Sequence, residues 1–259
     1  MAEQGRELVR FDAVRVATDD VARATRAYAL LLGVEPERVA HDHVRFALAR
    51  GAVELVHGVP GAQSLRLTRT ARASVEEEAA YELVVEEGFG GIGVVVDPCP
   101  TAPDGTPALR PHPSLEEAVP TAGGIVGIDH VVVDTADPDR AIRLWRDGLG
   151  VRLALDREFP QRGARMLFFR SAGVTLEFVS ALGSTGDGAG DDVPNGIAYR
   201  VADLAAVRGR LVAAGLDVSE PRTGNKPGTR VATVRSGTEG VPTLLIQGET
   251  SASASRSVP

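Results

Sequence analysis

The chain repeats a pattern of about 24 residues, and an internal repeat restricts the fold more than any single motif does. Residues 11–34 and 128–151 align without a gap, with Asp12 opposite Asp129. In both copies, alternating apolar residues are followed by an acidic turn, by apolar residues three and four positions apart, and by glycine. A weaker third copy, residues 195–218, has the same order. Each copy therefore predicts a strand followed by a helix that ends at glycine.

Short alternating segments follow each predicted helix, with Gly, Pro and Asn between them, which is typical of strands joined by turns. The predicted unit is therefore β-α-β-β-β. Between the first two copies, residues 76–88 predict a helix and residues 89–98 a strand, which a shortened or reordered copy would explain. The segments predicted as strands after the helices are 43–49, 51–58, 151–159, 164–171, 173–180, 217–222, 229–236 and 242–248.

The composition limits the kinds of partner. Of the 259 residues, 43% are apolar and 24% are charged, which is typical of a globular protein with one large domain or two ordinary ones. The net charge of -7 comes from dispersed acids, so it argues against nucleic acid or an anionic membrane and favours a small-molecule partner. The single cysteine, Cys99, excludes an internal disulfide framework and a cysteine-based zinc site. Because no signal peptide and no apolar run of roughly 20 residues are recognisable, we expect a cytoplasmic protein.

Two tandem domains are expected from the positions of the copies. Residues 1–98 would form a first, less regular domain, and residues 125–248 a second, complete one. The proline-rich segment 99–124 is typical of a linker, and residues 249–259 of a flexible tail. A loop rich in Gly, Asp and Ser, residues 183–192, would join the second and third copies.

The β-α-β-β-β unit, used in pairs, resembles the vicinal oxygen chelate superfamily, which includes glyoxalase I, methylmalonyl-CoA epimerase, extradiol dioxygenases and bleomycin-resistance proteins. The sequences DHVVVDTADPDRAIRLWRDGLG, GVTLEFV and VADL…AAGLDV carry the resemblance. It covers residues 126–248 as one paired domain and residues 8–98 as a second, less regular one. The resemblance implies an α+β fold in which repeated modules pair into half-open barrels, each with a concave face, here called the cup, that holds the ligand. The superfamily hosts several chemistries, so the fold alone does not assign a reaction.

The resemblance also indicates site residues. In metal-dependent members, each module offers one ligand from its first strand and one from its last. His130 and Glu177 occupy these positions in the second module, whereas Gly196 and Leu245 occupy them in the third. Neither glycine nor leucine binds a metal through its side chain. A divalent metal is therefore expected to bind poorly here, because one imidazole and one carboxylate fall short of the three protein ligands usual at catalytic zinc or non-haem iron.

A different pairing of modules would change that expectation. The first module has Ala13 at the histidine position but Glu54 at the position of Glu177. If the first and second modules shared one cup, Glu54, His130 and Glu177 would together provide three metal ligands.

Without a metal, His130 beside Glu177 is a candidate acid-base pair, since a histidine oriented by a carboxylate can move a proton near neutral pH. The alternative is a structural contact that satisfies a buried carboxylate. Substrate-binding candidates near predicted strand ends are Arg165, Phe168, Arg230 and Arg235.

These residues support two hypotheses about function. The first is an isomerase or lyase of the glyoxalase-like type that transfers a proton on an oxygenated substrate, such as a carbonyl compound or an acyl thioester. The second is a non-catalytic protein that sequesters a small molecule, as drug-resistance proteins of the superfamily do. Both are compatible with a homodimer, in which the first domain would have only a structural role.

Overall fold

The computed structural model describes residues 8–70, 75–86, 88–100, 113, 117–184 and 190–248. Most of the predicted linker and all of the predicted tail lie outside these residues, as does the centre of the loop predicted over residues 183–192. The described part contains two β-sheets, of six and eight strands, and the α+β fold class is confirmed. Both sheets are open at their edges, as half-open barrels require. No helix in the described part is long and apolar enough to cross a membrane.

The first sheet consists of β1 (Val9–Thr18), β2 (Glu37–Ala40), β3 (His43–Ala47), β4 (Ala52–His57), β5 (Gln63–Arg69) and β6 (Val94–Asp97). Its strand order is β2-β3-β4-β1-β5-β6, with β4 parallel to β1 and β6 parallel to β5.

The second sheet consists of β7 (Ile125–Asp134), β8 (Arg152–Phe159), β9 (Ala164–Ser171), β10 (Val174–Ala181), β11 (Val193–Val201), β12 (Arg222–Thr223), β13 (Arg230–Val234) and β14 (Thr243–Gln247). Its order is β12-β13-β14-β11-β7-β10-β9-β8. The second and third copies therefore form one sheet, and they meet where their first strands, β7 and β11, pair antiparallel. The last strand of each copy, β10 or β14, runs parallel to its first strand.

The same rule explains the irregular region of the first sheet. Strand β5 pairs antiparallel with β1, as β11 does with β7, and β6 runs parallel to β5 as a last strand would. Between them lies the helix predicted over residues 76–88, and residues 87–93 are too few to hold the two further strands of a module. This region is a shortened copy. Its first strand, Gln63–Arg69, was not predicted, because QSLRLTR is too polar to stand out as a strand.

The helices are α1 (Val21–Leu32), α2 (Val75–Glu86), α3 (Pro138–Ala141), which continues as a π-helix over Ile142–Gly148, and α4 (Leu204–Ala213). The repeated aspartates Asp20, Asp137 and Asp203 begin three of them, and each carboxylate accepts a hydrogen bond from a backbone N–H of the first turn. Helix α1 ends at Gly33 in the left-handed conformation, as its copy of the pattern predicts.

The two halves of the described chain share one hydrophobic core. Leu167 and Phe178 of the second sheet, together with Tyr28 of α1, belong to a single cluster of buried side chains. Trp145 is fully buried and packs on Phe178, with ring centroids 5.7 Å apart. The helices therefore pack on the inner faces of the two sheets, and each sheet keeps a second face turned away from this core.

A β-bulge recurs in the first strand of each full copy. It places an extra residue where that strand pairs with the first strand of the next copy, at Asp12 in β1 and at Asp129 in β7. Strand β11 has its bulge at Asn195 and Gly196. A bulge turns two consecutive side chains toward similar directions, which an unbroken strand cannot do.

Candidate active site

The face of the second sheet opposite the helices corresponds to the expected cup. Cross-strand register aligns Val132, Glu177 and Phe168 in one row of β7, β10 and β9. The adjacent row contains His130 and its neighbours on the same strands. The residues that alternate with these are buried in the core on the helix side: Val131, Val133, Leu167, Phe169, Leu176 and Phe178. The fold thus brings His130, Glu177 and Phe168 to one face, in adjacent rows.

His130 is held by the residue that precedes it. Its Nδ1 lies 2.9 Å from Oδ1 of Asp129, and the other oxygen of Asp129 accepts a hydrogen bond from the guanidinium of Arg200 on β11. Neighbouring residues of a regular strand point to opposite faces, so this contact depends on the bulge at Asp129. Burial alone would raise the pKa of Asp129, but the hydrogen bond with His130 and the charge of Arg200 lower that pKa to about 2. Asp129 therefore stays ionised and fixes the orientation of the imidazole ring.

Asp129 was not among the predicted site residues. One feature of the sequence could have indicated Asp129 as a site residue. It aligns with Asp12 in the repeat, so both copies have a carboxylate within an otherwise apolar strand, where it does not contribute to hydrophobic packing. Neighbouring residues of a regular strand lie on opposite faces, and only the bulge places Asp129 and His130 together.

Glu177 lies in a different environment from Asp129. Burial raises its pKa, the charge of the His130 ring in its protonated form and the charge of Arg162 partly oppose this effect, and Asp129 adds to it. No hydrogen bond to the Glu177 carboxyl group is present in the described part of the chain. The pKa of Asp129 is thus lowered and that of Glu177 is raised within one cup. Such a separation of two carboxyl pKa values is common at acid-base sites.

The third copy supplies an apolar half of the cup. Ala198, Val231 and Ile246 form a small buried cluster there, with Leu244 packed against it. The position equivalent to Glu177 is Leu244, because it pairs with Ala198 as Glu177 pairs with Val132. Leu245, the residue predicted there, is fully buried in the core on the helix side. That register was wrong by one residue, although either leucine removes the carboxylate.

Gly196 stands at the position equivalent to His130. The backbone conformation at this position disfavours any residue that has a side chain, including a metal-ligating histidine. Its φ of 138° is rarely adopted by residues with a side chain, and a Cβ atom would lie 3.1 Å from the carbonyl oxygen of Pro242. A histidine would require this turn of the sheet to move.

The three-ligand metal set is not assembled. Glu54 lies in the first sheet, whereas His130 and Glu177 lie in the second, because the second copy pairs with the third and not with the first. No group of three His, Cys, Asp or Glu side chains in the described ranges could hold a metal ion. The donor set of the cup therefore does not fit the metal that metal-dependent members of the family hold.

Glu54 instead belongs to a charged cluster on the corresponding face of the first sheet. Its carboxylate accepts hydrogen bonds from Arg15, Arg45 and Arg66, at 2.9, 2.6 and 2.9 Å. Arg45 and Arg66 are paired with further acids of the same face. The members of this charged cluster are Asp12, Arg15, His43, Arg45, Glu54, Arg66 and Asp97.

Three of the predicted substrate-binding residues do not face the cup. Arg165 binds Asp156 and Asp139, and its strand alternation places it on the helix side with Leu167. Arg230 is exposed on the same side of β13 as the core residue Ala232.

Arg235 follows β13 and lies 3.3 Å from Asp217 at the surface. It also lines a separate surface cavity of about 530 Å³ beside α1. Of the four substrate-binding candidates, Phe168 alone lies in the cup, opposite Glu177.

Comparison with known proteins identifies the class to which this arrangement belongs. A family model described as the Glyoxalase/Bleomycin resistance protein/Dioxygenase superfamily matches residues 129–233, and the resemblance of this segment to vicinal oxygen chelate proteins is confirmed. A search of curated proteins by sequence found no match.

Two solved structures extend the likeness to nearly the whole chain. The Mn(II)-bound glyoxalase from Novosphingobium aromaticivorans is 15% identical, with a TM-score of 0.65 over 93% of this chain and 82% of that chain. A mutant of 4-hydroxymandelate synthase from Streptomyces coelicolor is 14% identical, with a TM-score of 0.61 over 93% of each chain. At these identities the likeness shows the fold: both sheets, and not the second alone, follow the glyoxalase-type arrangement.

The pair of Asp129 and His130 predicts a pH dependence of stability. Because the pKa of Asp129 is lowered in the folded state, its contribution is present above the unfolded pKa, near 4, and is lost as the pH falls toward 2. We expect Asp129→Asn to cost about 2 kcal/mol of unfolding free energy at pH 6. Urea denaturation at pH 6, 4 and 3 should show this difference shrinking. Asp147→Asn, at an exposed surface pair, serves as the control, and a difference that is independent of pH would contradict the assignment.

Proposed function

We propose that the protein is a small-molecule enzyme that transfers a proton at a carbon atom beside a carbonyl group, with His130 as the base and Glu177 as the acid. The observation that carries the proposal is the hydrogen bond between His130 and Asp129 on the face that also holds Glu177. It is the arrangement of a base, an orienting carboxylate and a nearby acid that such chemistry requires.

The role of His130 follows from its partner. When the ring is neutral, an Nδ1–H donated to Asp129 leaves the lone pair on Nε2, which can accept a proton from the substrate carbon. The imidazolium that forms is stabilised by the negative charge of Asp129, which does not itself take up the proton because its pKa is about 2. This coupling supports His130 as a base that is returned to its starting state in each cycle.

Glu177 would act at the oxygen of the substrate. Its raised pKa extends the pH range over which the carboxyl group keeps its proton. As the C–H electron pair moves toward the carbonyl group, negative charge develops on the oxygen, and Glu177 can donate its proton there. Return of a proton to carbon, with the oxygen proton going back to Glu177, completes one round of α-proton exchange without any other reactant.

Replacement of Glu177 by glutamine tests the proposal. We expect Glu177→Gln to lower the exchange of the substrate α-proton with D2O by about 10²- to 10⁴-fold. The melting temperature should rise at pH 8, because the stability linked to a raised pKa is present below the unfolded pKa, near 4.3, and is lost as the pH increases through the folded pKa. Exchange is followed by proton NMR on a panel of 2-substituted acyl thioesters, α-hydroxy ketones and 2-oxo acids.

The control is Glu158→Gln, an exposed glutamate on β8 of the same sheet. Its exchange rate and melting temperature should stay at the wild-type values. If Glu177→Gln kept full exchange and lost stability at pH 8, Glu177 would be a structural residue and the proposal would fail.

The apolar half of the cup favours a second candidate function, sequestration of an apolar ligand. Ala198, Val231 and Ile246 are buried there with Leu244 packed against them, so a ligand that entered this half would meet apolar side chains. Saturable binding of an aromatic probe, unchanged by Glu177→Gln and accompanied by no exchange in the whole panel, would favour this function over the enzyme.

A further inference from the structure

Arginines gather at one end of the cup. Arg170, on β9, is opposite Thr175, which is in turn opposite His130, so the three residues form one row across adjacent strands. Arg200 approaches from β11, where it binds Asp129.

Arg50 reaches the same end from the first half of the chain. Its backbone pairs with Gly127 and accepts a hydrogen bond from Ile128 N–H at 3.0 Å, at the start of β7. Its guanidinium donates a hydrogen bond to the carbonyl oxygen of Gly173, in the turn between β9 and β10. The first half of the chain thus contributes a buried arginine to the cup of the second.

Positive charge exceeds negative charge at this end. Asp129 is the acid next to these arginines, and its two oxygens are already occupied by His130 and Arg200. Arg170 is exposed and makes no ion pair within the described ranges. Burial lowers the pKa of Arg50, and the charges of Arg170 and Arg200 lower it further, whereas Asp129 opposes them.

Two of the guanidinium groups also have unused hydrogen-bond donors. Arg50 is 8% exposed, and its Nε atom is buried with no hydrogen-bond partner in the described part of the chain. The Nε atom of Arg200 is buried in the same way. A buried donor without a partner costs free energy, and an oxyanion would satisfy both the donors and the excess charge.

We propose that Arg50, Arg170 and Arg200 form an oxyanion subsite, so that the small molecule bound in this cup carries a carboxylate or phosphate group beside its reacting carbon. The subsite rests on the proposed proton transfer for the identity of the reacting carbon, but oxyanion binding itself requires no turnover. The subsite therefore implies that the substrate is an acid, with a carboxylate or a phosphate group.

The distances fit one small molecule. Neighbouring strands lie about 4.8 Å apart, so the backbone positions of Arg170 and His130, two strands apart, are separated by about 10 Å. The side chain of Arg170 is long enough to reach part of the way across this gap. An oxyanion bound there would lie within a few bonds of a carbon atom at His130.

Binding of simple anions tests the subsite directly. Malonate and inorganic phosphate are titrated separately at low ionic strength by calorimetry against wild-type protein, Arg170→Gln and Arg230→Gln. We expect Arg170→Gln to weaken binding by about ten- to hundredfold, the range for a hydrogen bond to a charged group. Arg230→Gln, an exposed arginine on the other face of the sheet, should bind within about twofold of the wild type.

The two anions distinguish the two sources of the oxyanion. Tighter malonate binding identifies a carboxylate substrate, and tighter phosphate binding a phosphorylated one. If neither anion saturates the wild-type protein, or if both arginine variants change its affinity equally, the subsite does not exist.

A further variant separates this proposal from the proton transfer. His130→Ala should keep the affinity for malonate or phosphate, because binding requires no proton transfer, and loss of that affinity would contradict a separate subsite. Anion binding without exchange of any panel compound would overturn the proposed function alone. Exchange without anion binding would overturn the subsite alone.

Discussion

His130→Ala is expected to lower the exchange of the substrate α-proton with solvent by about 10²- to 10⁴-fold, the usual contribution of a positioned base. The protein should remain folded, because the His130 side chain keeps 18% of its surface exposed and lies outside the hydrophobic core. Exchange is measured by proton NMR in D2O on the substrate that gives the fastest wild-type rate.

Two further measurements separate a base from a structural histidine. Added imidazole should restore part of the exchange in His130→Ala, since it can enter the space left by the ring and accept the proton. Asp129→Asn should retain the ring but lower exchange by about ten- to hundredfold, because a hydrogen bond to a charged group is lost. His57→Ala, at an exposed position of the first sheet, should have no effect. Full activity in both His130→Ala and Asp129→Asn would remove the pair from the mechanism.

Glu54→Gln is expected to destabilise the protein by about 3 kcal/mol. The Glu54 side chain is fully buried, so three arginines would lose their shared carboxylate in a place with little solvent. The estimate is at the lower end of the range for a broken buried pair, because Arg15, Arg45 and Arg66 keep 21–23% of their side-chain surface exposed.

Urea denaturation at pH 7 measures this change. Glu37→Gln is a matched control, since Glu37 is opposite Arg45 on the neighbouring strand but is exposed, and it should shift the unfolding free energy by no more than about 0.5 kcal/mol. Equal shifts in the two variants would mean that the charged cluster contributes nothing to stability. Burial alone would raise the pKa of Glu54, but the arginines lower it, so its contribution should disappear as the pH falls below the usual range of a carboxyl group.

The repeat, with the resemblance that it carries, was sufficient to predict the α+β architecture. The site positions implied by that resemblance were sufficient to select His130 and Glu177, which the structure places on one face. Alternation failed wherever a bulge interrupts a strand. Alternation alone would place Asp129 on the face opposite His130. In the third copy, the alignment selected Leu245 where the equivalent position is Leu244. A bulge is a property of two paired strands, so one strand read alone does not reveal it.

The clustering of charged side chains on the two sheets could not be predicted from the sequence either. Arg15, Arg45 and Arg66 lie on three separate strands, and only the register of the first sheet brings them around Glu54. Arg50 is still more distant, because it joins the cup of the other half of the chain. Contacts of this kind depend on which copies of the repeat pair with each other. The sequence was compatible with more than one such pairing.

The bulge shared by β1 and β7 gives two copies of the repeat the same local backbone with different side chains beside it. In both, an aspartate occupies the extra position and binds an arginine on another strand. The following residue is alanine in the first copy and histidine in the second. The same bulged aspartate is thus present twice, and the side chain that follows it decides whether an imidazole lies beside that carboxylate, as in the second copy, or only a methyl group, as in the first.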